Sequence, residues 1–480
     1  MPTSPPSNTQ AAALLTRLDQ LPLTKEHRRV RRLGGLGYLF DTFDGTLMGY
    51  AMAAVIALWA IEESTAGWLL SAIFFGYLIG SLASGVLADR FGRRRLMMAA
   101  LLIFTVFSVL MATSQSPTEL FIWRMLSGIG LGAESVLVVP YLSELVPARY
   151  RASFLGRTVA FFGYGGVLAG IVALLVIGPN AHTWWGWRIA GVIAVVPIVL
   201  LLIMRRSLPE SPRFLISQGR MTEAEQIVER FERSAGVDSA QAAAQATAQA
   251  EAQALPDASP VAASRLSLGA QLRAVFAPGL RRRTLVIWLL WFSLTGVNYG
   301  FASWMVNMLI IAKGFTVSNS FLFAFTASGA QIPGYLLAAW LVNKFEKKWV
   351  IASFAAAAAL SAIGVAMAED VVVLLIASAL LAAFINGSAA AYYGYTAELY
   401  PTAIRTTGVG FASAAGRVGA ILAPITIGYV FAAAGFATVF LGLTALLLFA
   451  VTITVIFGER TNGLSLENIE SLAQTEGTAV

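Results

Sequence analysis

Five ionisable side chains stand in surroundings that look too apolar for them. Asp41 and Asp44 lie in GYLFDTFDGTLMGY (37–50), Arg124 in FIWRMLSGIGLG (121–132), Glu134 in GLGAESVL (130–137) and Arg417 in AAGRVGAILAP (414–424). A charge at the centre of a bilayer costs about 2.5–3.5 kcal/mol even on the lenient insertion scale, so each one needs a reason. A carboxyl stripped of water can take and release a proton, and a guanidinium can hold a carboxylate bidentately or pair with an acidic neighbour. That is chemistry of binding and proton exchange. Bond-making has little support. There is no cysteine, the two histidines His27 and His182 are far apart, and no nucleophile–base pair or metal-ligand cluster is apparent. Neither an enzyme nor a cofactor is expected.

The elements that must hold these groups are legible from composition. The chain has 480 residues, 57% hydrophobic and only 12% charged, where soluble domains carry about 25% charged residues. Only bundled helices or closed barrels span lipid, and continuous apolar runs near 20 residues select helices. Spans are expected near 36–60, 66–88, 96–114, 118–141, 152–177 and 187–205, then near 284–311, 318–342, 349–367, 371–396, 407–432 and 434–457. The first lacks a small-residue cleavage site and reads as a retained helix. This gives an N-terminal segment 1–35, a six-helix half 36–205, a central loop 206–283, a second six-helix half 284–457 and a tail 458–480. The loop opens with RRSLPESPRFLISQGRMTEAEQIVERFER (205–233), an amphipathic helix pair, and continues as an Ala/Gln-rich linker. Basic residues alternate between loops. Lys25, Arg28, Arg29, Arg31 and Arg32, Arg90 and Arg93–Arg95, Arg149, Arg151 and Arg157, and Lys344, Lys347, Lys348 and Arg405 share one side, so both termini are expected in the cytoplasm of a cell-membrane protein. The net charge of +7 is thereby a topology signal and not a nucleic-acid footprint. Trp184, Trp185 and Trp187 read as an interfacial belt at an outer loop.

The chain also repeats itself. LADRFGRRR (87–95) matches LVNKFEKKW (341–349), and YLSELVPARYRASFLG (141–156) matches YTAELYPTAIRTTGVG (395–410), both at an offset of 254 residues. Two parallel halves with a site at their interface near mid-membrane describe an alternating-access carrier. Asp44, some eight residues into the first span and so roughly 12 Å deep, maps onto Asn298. Asp44 either takes a proton or substrate charge, or merely bonds a neighbouring helix; Asp41, one turn shallower, either shares that role or caps the helix start. Glu134 is a proton-coupling candidate or an ion-pair partner at the gate. Arg124 pairs with an acidic residue of the first span or takes a substrate carboxylate. Arg417 offers a carboxylate site or bonds loosened backbone. Tyr299, Phe301 and Trp304 on the seventh span and Tyr392, Tyr393 and Tyr395 on the tenth could stack on a planar substrate or simply pack. Of these Tyr299, Trp304, Tyr392 and Tyr393 join Asn298 and Gln331 in the expected substrate site. Asp89 and Arg90 with Arg149 and Arg151, and the cross-half links Glu144–Arg405 and Glu398–Arg151, are expected to latch the cytoplasmic gate. Gly76, Gly80 and Gly85, and Gly166 and Gly170, supply faces for close packing.

GVLADRFGRRR (85–95) resembles the signature loop of the major facilitator superfamily, RMLSGIGLG (124–132) its fourth-span motif, and PESPRFL (209–215) the motif after the sixth span in sugar-porter-like members. The acidic first span, GLGAESV (130–136) and NYGFASWM (298–305) are similar to bacterial niacin and aromatic-acid carriers, although Ala133 stands where a glycine is usual. The seventh span lacks the glutamines of sugar porters, and FFGYGGVLAG (161–170) lacks the proline of drug antiporters. The resemblance implies twelve helices in two parallel six-helix repeats. It implies proton-coupled uptake of a small aromatic, nicotinate-like acid by a monomer whose partners are substrate, protons and lipid. An organic cation carrier is the closest alternative, with the first-span acids as counter-ions; a sugar carrier or a non-transporting sensor stands further off.

Overall fold

The computed structural model describes residues 8–159, 161–180, 183–193, 199, 203–204, 206–240, 243–244, 273–400 and 404–461, and no strand occurs among them. Its helices are α1 (Asn8–Gln20), α2 (Lys25–Trp59), α3 (Glu63–Phe91), α4 (Arg93–Met111), α5 (Pro117–Leu145), α6 (Ala148–Val159), α7 (Phe161–Val172), α8 (Arg188–Ile193), α9 (Pro212–Ser217), α10 (Met221–Ala235), α11 (Arg281–Lys313), α12 (Val317–Leu341), α13 (Lys347–Met367), α14 (Val371–Leu399) and α15 (Arg405–Phe457). Ten stretches among the described residues are long and apolar enough to cross a membrane. The last of them holds two spans, because Gly435 (φ 75°, ψ −173°) breaks α15 without a loop. The sixth span begins at α8 and falls largely outside the described residues, as does most of the Ala/Gln linker.

Local chemistry sets the helix ends. Ser116, Thr316 and Asp370 accept hydrogen bonds from the first free backbone amides of α5, α12 and α14. Thr24 and His27 form a reciprocal cap at the start of α2. That cap lies well before residue 36, so the first span is longer than its apolar run. Its basic first turns join α1, α9 and α10 in a layer at one face of the bundle. There Arg17 makes a bidentate bond to Glu232 at 2.8 and 2.9 Å, both side chains being buried, and Glu232 raises the Arg17 pKa. The amphipathic pair expected in the central loop is therefore present, and α1 is its unforeseen third member.

The 254-residue offset recurs in three dimensions. Gly80 presses on the Ile129 carbonyl and Gly334 on that of Ala383, so α3 meets α5 as α12 meets α14. Gly165 meets Leu39 and Gly419 meets Phe292, which pairs α2 with α7 as α11 pairs with α15. Gly76 and Gly80 bring backbones together where lipid offers no hydrophobic drive, Gly166 and Gly170 receive the side chains of Ser328 and Phe325, and Gly85 lies outside the described side chains. Across the halves α3 packs on α15, α7 on α12 and α2 on α11. Gly67 touches Pro424 and Ile425, Gly170 touches Phe325, and Tyr50 packs on Phe321 at 5.2 Å. The tryptophan belt needs one correction. Trp184 and Trp185 are exposed, but Trp187 is fully buried against Trp59, with Arg188 stacked on Trp184 and Trp187 at 3.4 and 4.3 Å.

Candidate substrate and coupling site

The first span projects its two carboxylates into different partnerships. Asp44 Oδ2 lies 2.5 Å from Arg124 Nη1, and Ser108 Oγ stands 3.5 Å from Oδ1. Both members of the pair are more than nine-tenths buried. Arg124 thus takes the acidic partner on the first span. Asp41, one turn away, accepts a 2.9 Å hydrogen bond from the Tyr77 hydroxyl. The ring of Tyr77 in turn lies beneath Arg417, whose guanidinium carbon is 3.8 Å from the ring centroid. Arg417 Nη1 donates to the Tyr299 hydroxyl at 3.3 Å, and Phe74 packs on Tyr299 at 4.7 Å. Among the described residues no carboxylate lies within 4.0 Å of the Arg417 nitrogens. A polar chain therefore runs from the first half into the second: Asp41, Tyr77, Arg417, Tyr299.

Glu134 stands alone. It is 2% exposed, and neither carboxyl oxygen has a hydrogen-bond partner among the described residues. Gly37 lies directly against it, and a Cβ there would fall on Oε1. A buried ionised carboxylate without partners is costly, whereas the protonated acid loses less on leaving water.

The aromatic candidates separate. Tyr392 stacks on Tyr393 at 5.2 Å, and Trp291 meets both edge-on at 4.8 and 4.5 Å. Tyr393 is half exposed, as a ring offered to a ligand must be. Trp304 is placed elsewhere: it is fully buried, donates Nε1–H to the Pro424 carbonyl at 2.9 Å and braces α15 where proline removes a backbone donor. Asn298 and Gln331 are half-buried on α11 and α12. Tyr77 and Phe74 were not singled out from sequence, yet a signal existed. Tyr77 sits inside the Gly76–Gly80 stripe, and the 254 offset maps it onto Gln331.

The gate residues also separate. Arg93 Nη2 pairs with Glu144 at 3.0 Å, and 254 residues on, Lys347 pairs with Glu398 at 2.9 Å. Ser211 also donates to Glu144. Both carboxylates are thus held within their own halves in this conformation, and the expected cross-half pair Glu398–Arg151 is not made. Arg151 turns to the Val146 carbonyl at 3.5 Å, and Arg149 donates to the carbonyls of Gln20 and Leu21, anchoring α1. Arg90 is exposed beside Phe91. The side chains of Asp89 and Arg405 lie outside the described ones. The motif after the sixth span finds its purpose here. Glu210 accepts from the amide of Arg94, and with Phe214 it fills the space over Gly92, whose φ of 93° favours glycine.

Two halves related by one offset, buried charge at their interface and ion pairs at one face define a secondary carrier of the major facilitator superfamily. The sugar (and other) transporter model matches residues 23–473, and the chain belongs to that family. It is 34% identical to the niacin transporter NiaP of Acinetobacter baylyi, covering 95% of this chain and 99% of that one. It is 28% identical to the benzoate transport protein of the same organism, over 86% and 85%. Among solved structures it resembles the inward-open xylose transporter XylE from E. coli at a TM-score of 0.73 and 19% identity, covering 93% and 99%. It is a multi-pass membrane transporter, not an enzyme.

Proposed function

We propose that this carrier takes up a small aromatic carboxylate together with a proton, nicotinate being the first candidate. One observation carries the reading: Arg417 is a guanidinium at the half interface, flanked by Tyr77 and Tyr299, with no carboxylate partner among the described residues. A fork of N–H donors fits a carboxylate bidentately, and adjacent tyrosine faces fit the ring attached to it. The relatives that carry niacin and benzoate support the same class. Glu134 is the proton carrier of this scheme, because protonation removes the cost of leaving its carboxylate bare. Asp41 is the second titrating group, and the Asp44–Arg124 pair holds the first span against the fifth helix. The termini and the α1–α9–α10 layer face the cytoplasm, and the protein works as a monomer. As the halves rock, Glu144 and Glu398 leave Arg93 and Lys347 for partners across the interface and close the cytoplasmic side.

The test is uptake of labelled nicotinate by cells making the protein, with a quaternary amine and xylose as controls, each with and without a protonophore. Nicotinate accumulation that collapses with the protonophore and is lost in Arg417→Gln is the expected result. Uptake of the amine alone would make Asp41 and Asp44 substrate counter-ions and overturn the acid reading.

A further inference from the structure

We infer that Tyr77 is the positioning residue through which substrate binding at Arg417 senses the protonation of Asp41. The inference rests on the reading above and deepens it. Among the described residues Tyr77 alone bonds one group and stacks on the other: its hydroxyl donates to Asp41 at 2.9 Å while its ring lies 3.8 Å beneath the Arg417 guanidinium. Asp41 and Tyr77 belong to the first half, Arg417 to the second. Tyr77 cannot drift to suit both, because its backbone is clamped. A Cβ on Gly132 of α5 would fall on the carbonyl, the carbonyl carbon and the Cα of Tyr77, and Gly76 is pressed on α5 in the same way. A tyrosine has two side-chain torsions, so a rotation that releases Asp41 also withdraws the ring from Arg417.

The consequence is a two-way link. With Asp41 ionised, the hydroxyl bond is charge-assisted and roughly twice as strong as a neutral one, and the ring is held under the guanidinium. A proton on Asp41 weakens that bond and frees the ring to tilt, so the guanidinium stacked on it can turn its fork of N–H donors toward a carboxylate. Proton and substrate therefore favour each other's binding, which by reciprocity is the requirement for carrying both in one direction. Among the described residues the other charged and titratable groups facing this cluster are Tyr38, Asp44, Arg124 and Glu134 from the first half, and Tyr299 and Tyr393 from the second. None of them is hydrogen-bonded or stacked to both Asp41 and Arg417, although Tyr393 feels the charge of each.

The decisive variant is Tyr77→Phe, which keeps the ring and removes the hydroxyl. Purified carrier in proteoliposomes is assayed for nicotinate and benzoate affinity between pH 5.5 and 7.5, for exchange of labelled against unlabelled acid, and for accumulation driven by an imposed proton gradient. The expected result is affinity that no longer rises as pH falls, and accumulation reduced at least about tenfold further than exchange, the ratio one hydrogen bond to a charged group supplies. Asp41→Asn should give the same pH-insensitive affinity, and the double variant should be no worse than either single one. A Tyr77→Phe carrier with wild-type pH dependence of affinity overturns the inference alone. A variant whose exchange and accumulation fall in equal measure, with a lowered thermal midpoint, overturns it as well, because that is the signature of a packing role. Wild-type carrier that binds neither acid overturns the substrate reading, and this inference with it.

Discussion

The two halves share a skeleton and differ in their interiors. Glycine contacts recur between Gly80–Ile129 and Gly334–Ala383, and an ion pair recurs between Arg93–Glu144 and Lys347–Glu398, all at 254 residues. Inside, the symmetry is gone. Asp41, Asp44, Arg124 and Glu134 of the first half face Thr295, Asn298, Ser378 and Ser388 at the same offset, while Arg417 of the second half corresponds to Gly163. Backbone packing leaves little freedom, since a Cβ at these glycines would strike main chain. The membrane-buried polar sites are free to diverge once the skeleton is fixed. The proposed division of labour follows: proton-handling acids in the first half, a substrate cation in the second.

Three sets of variants sharpen or break that comparison. The largest effect belongs to Asp44→Asn, which leaves Arg124 buried without its counter-charge; breaking such a pair costs about 3–5 kcal/mol. The thermal midpoint in detergent should drop sharply, and Asp44→Asn with Arg124→Gln should recover most of it without restoring accumulation. Asn298→Ala, at the matching position, should change stability little. An equal loss at both positions would deny the asymmetry. Next come Gly80→Ala and Gly334→Ala, whose added methyl meets the same backbone feature in each half. Each should cost about 1–3 kcal/mol, alike within error, whereas Gly329→Ala, with open space around it, should be silent. Unequal losses would break the shared skeleton. The smallest effects belong to the ion pairs. Glu398→Gln removes a partly exposed pair worth about 0.2–1 kcal/mol. Glu144→Gln also weakens the Ser211 bond that docks the central loop, so its loss of stability should be the larger of the two.

Much of this fold is readable without coordinates, because lipid imposes one rule: apolar runs long enough to cross it become helices. The twelve-span pattern, the repeat and the close-packed glycine faces all follow from that rule and from the 254 offset. The start of α2 does not, since it is set by the Thr24–His27 cap in a basic stretch that hydropathy scores as loop. Trp187 looked interfacial beside Trp184 and Trp185, but the turn after residue 182 points it inward onto Trp59. Charges within the membrane were legible as candidates, and Arg124 was matched to an acid of the first span, but which of the two acids it takes was not legible. Asp44 chose Arg124 and Asp41 chose Tyr77 because helix rotation puts one turn of α2 toward α5 and the next toward α3. Glu144 and Glu398 were named as gate residues, yet here each pairs with a base of its own half, Arg93 and Lys347. Tyr77 escaped notice because a lone tyrosine among phenylalanines carries no mark of its neighbour 340 residues further on.

Gly435 also limits what labelling can reach. One residue, in a backbone geometry open essentially to glycine alone, returns the chain from the eleventh crossing to the twelfth. Nothing is there to lengthen, decorate or cut. A topology map built from inserted tags or proteolysis would be blind at this junction, while the Ala368–Asp370 turn between α13 and α14 offers it a proper foothold. The sites before Arg405 and after Phe457 lie on one face, so such a map would miss both crossings between them.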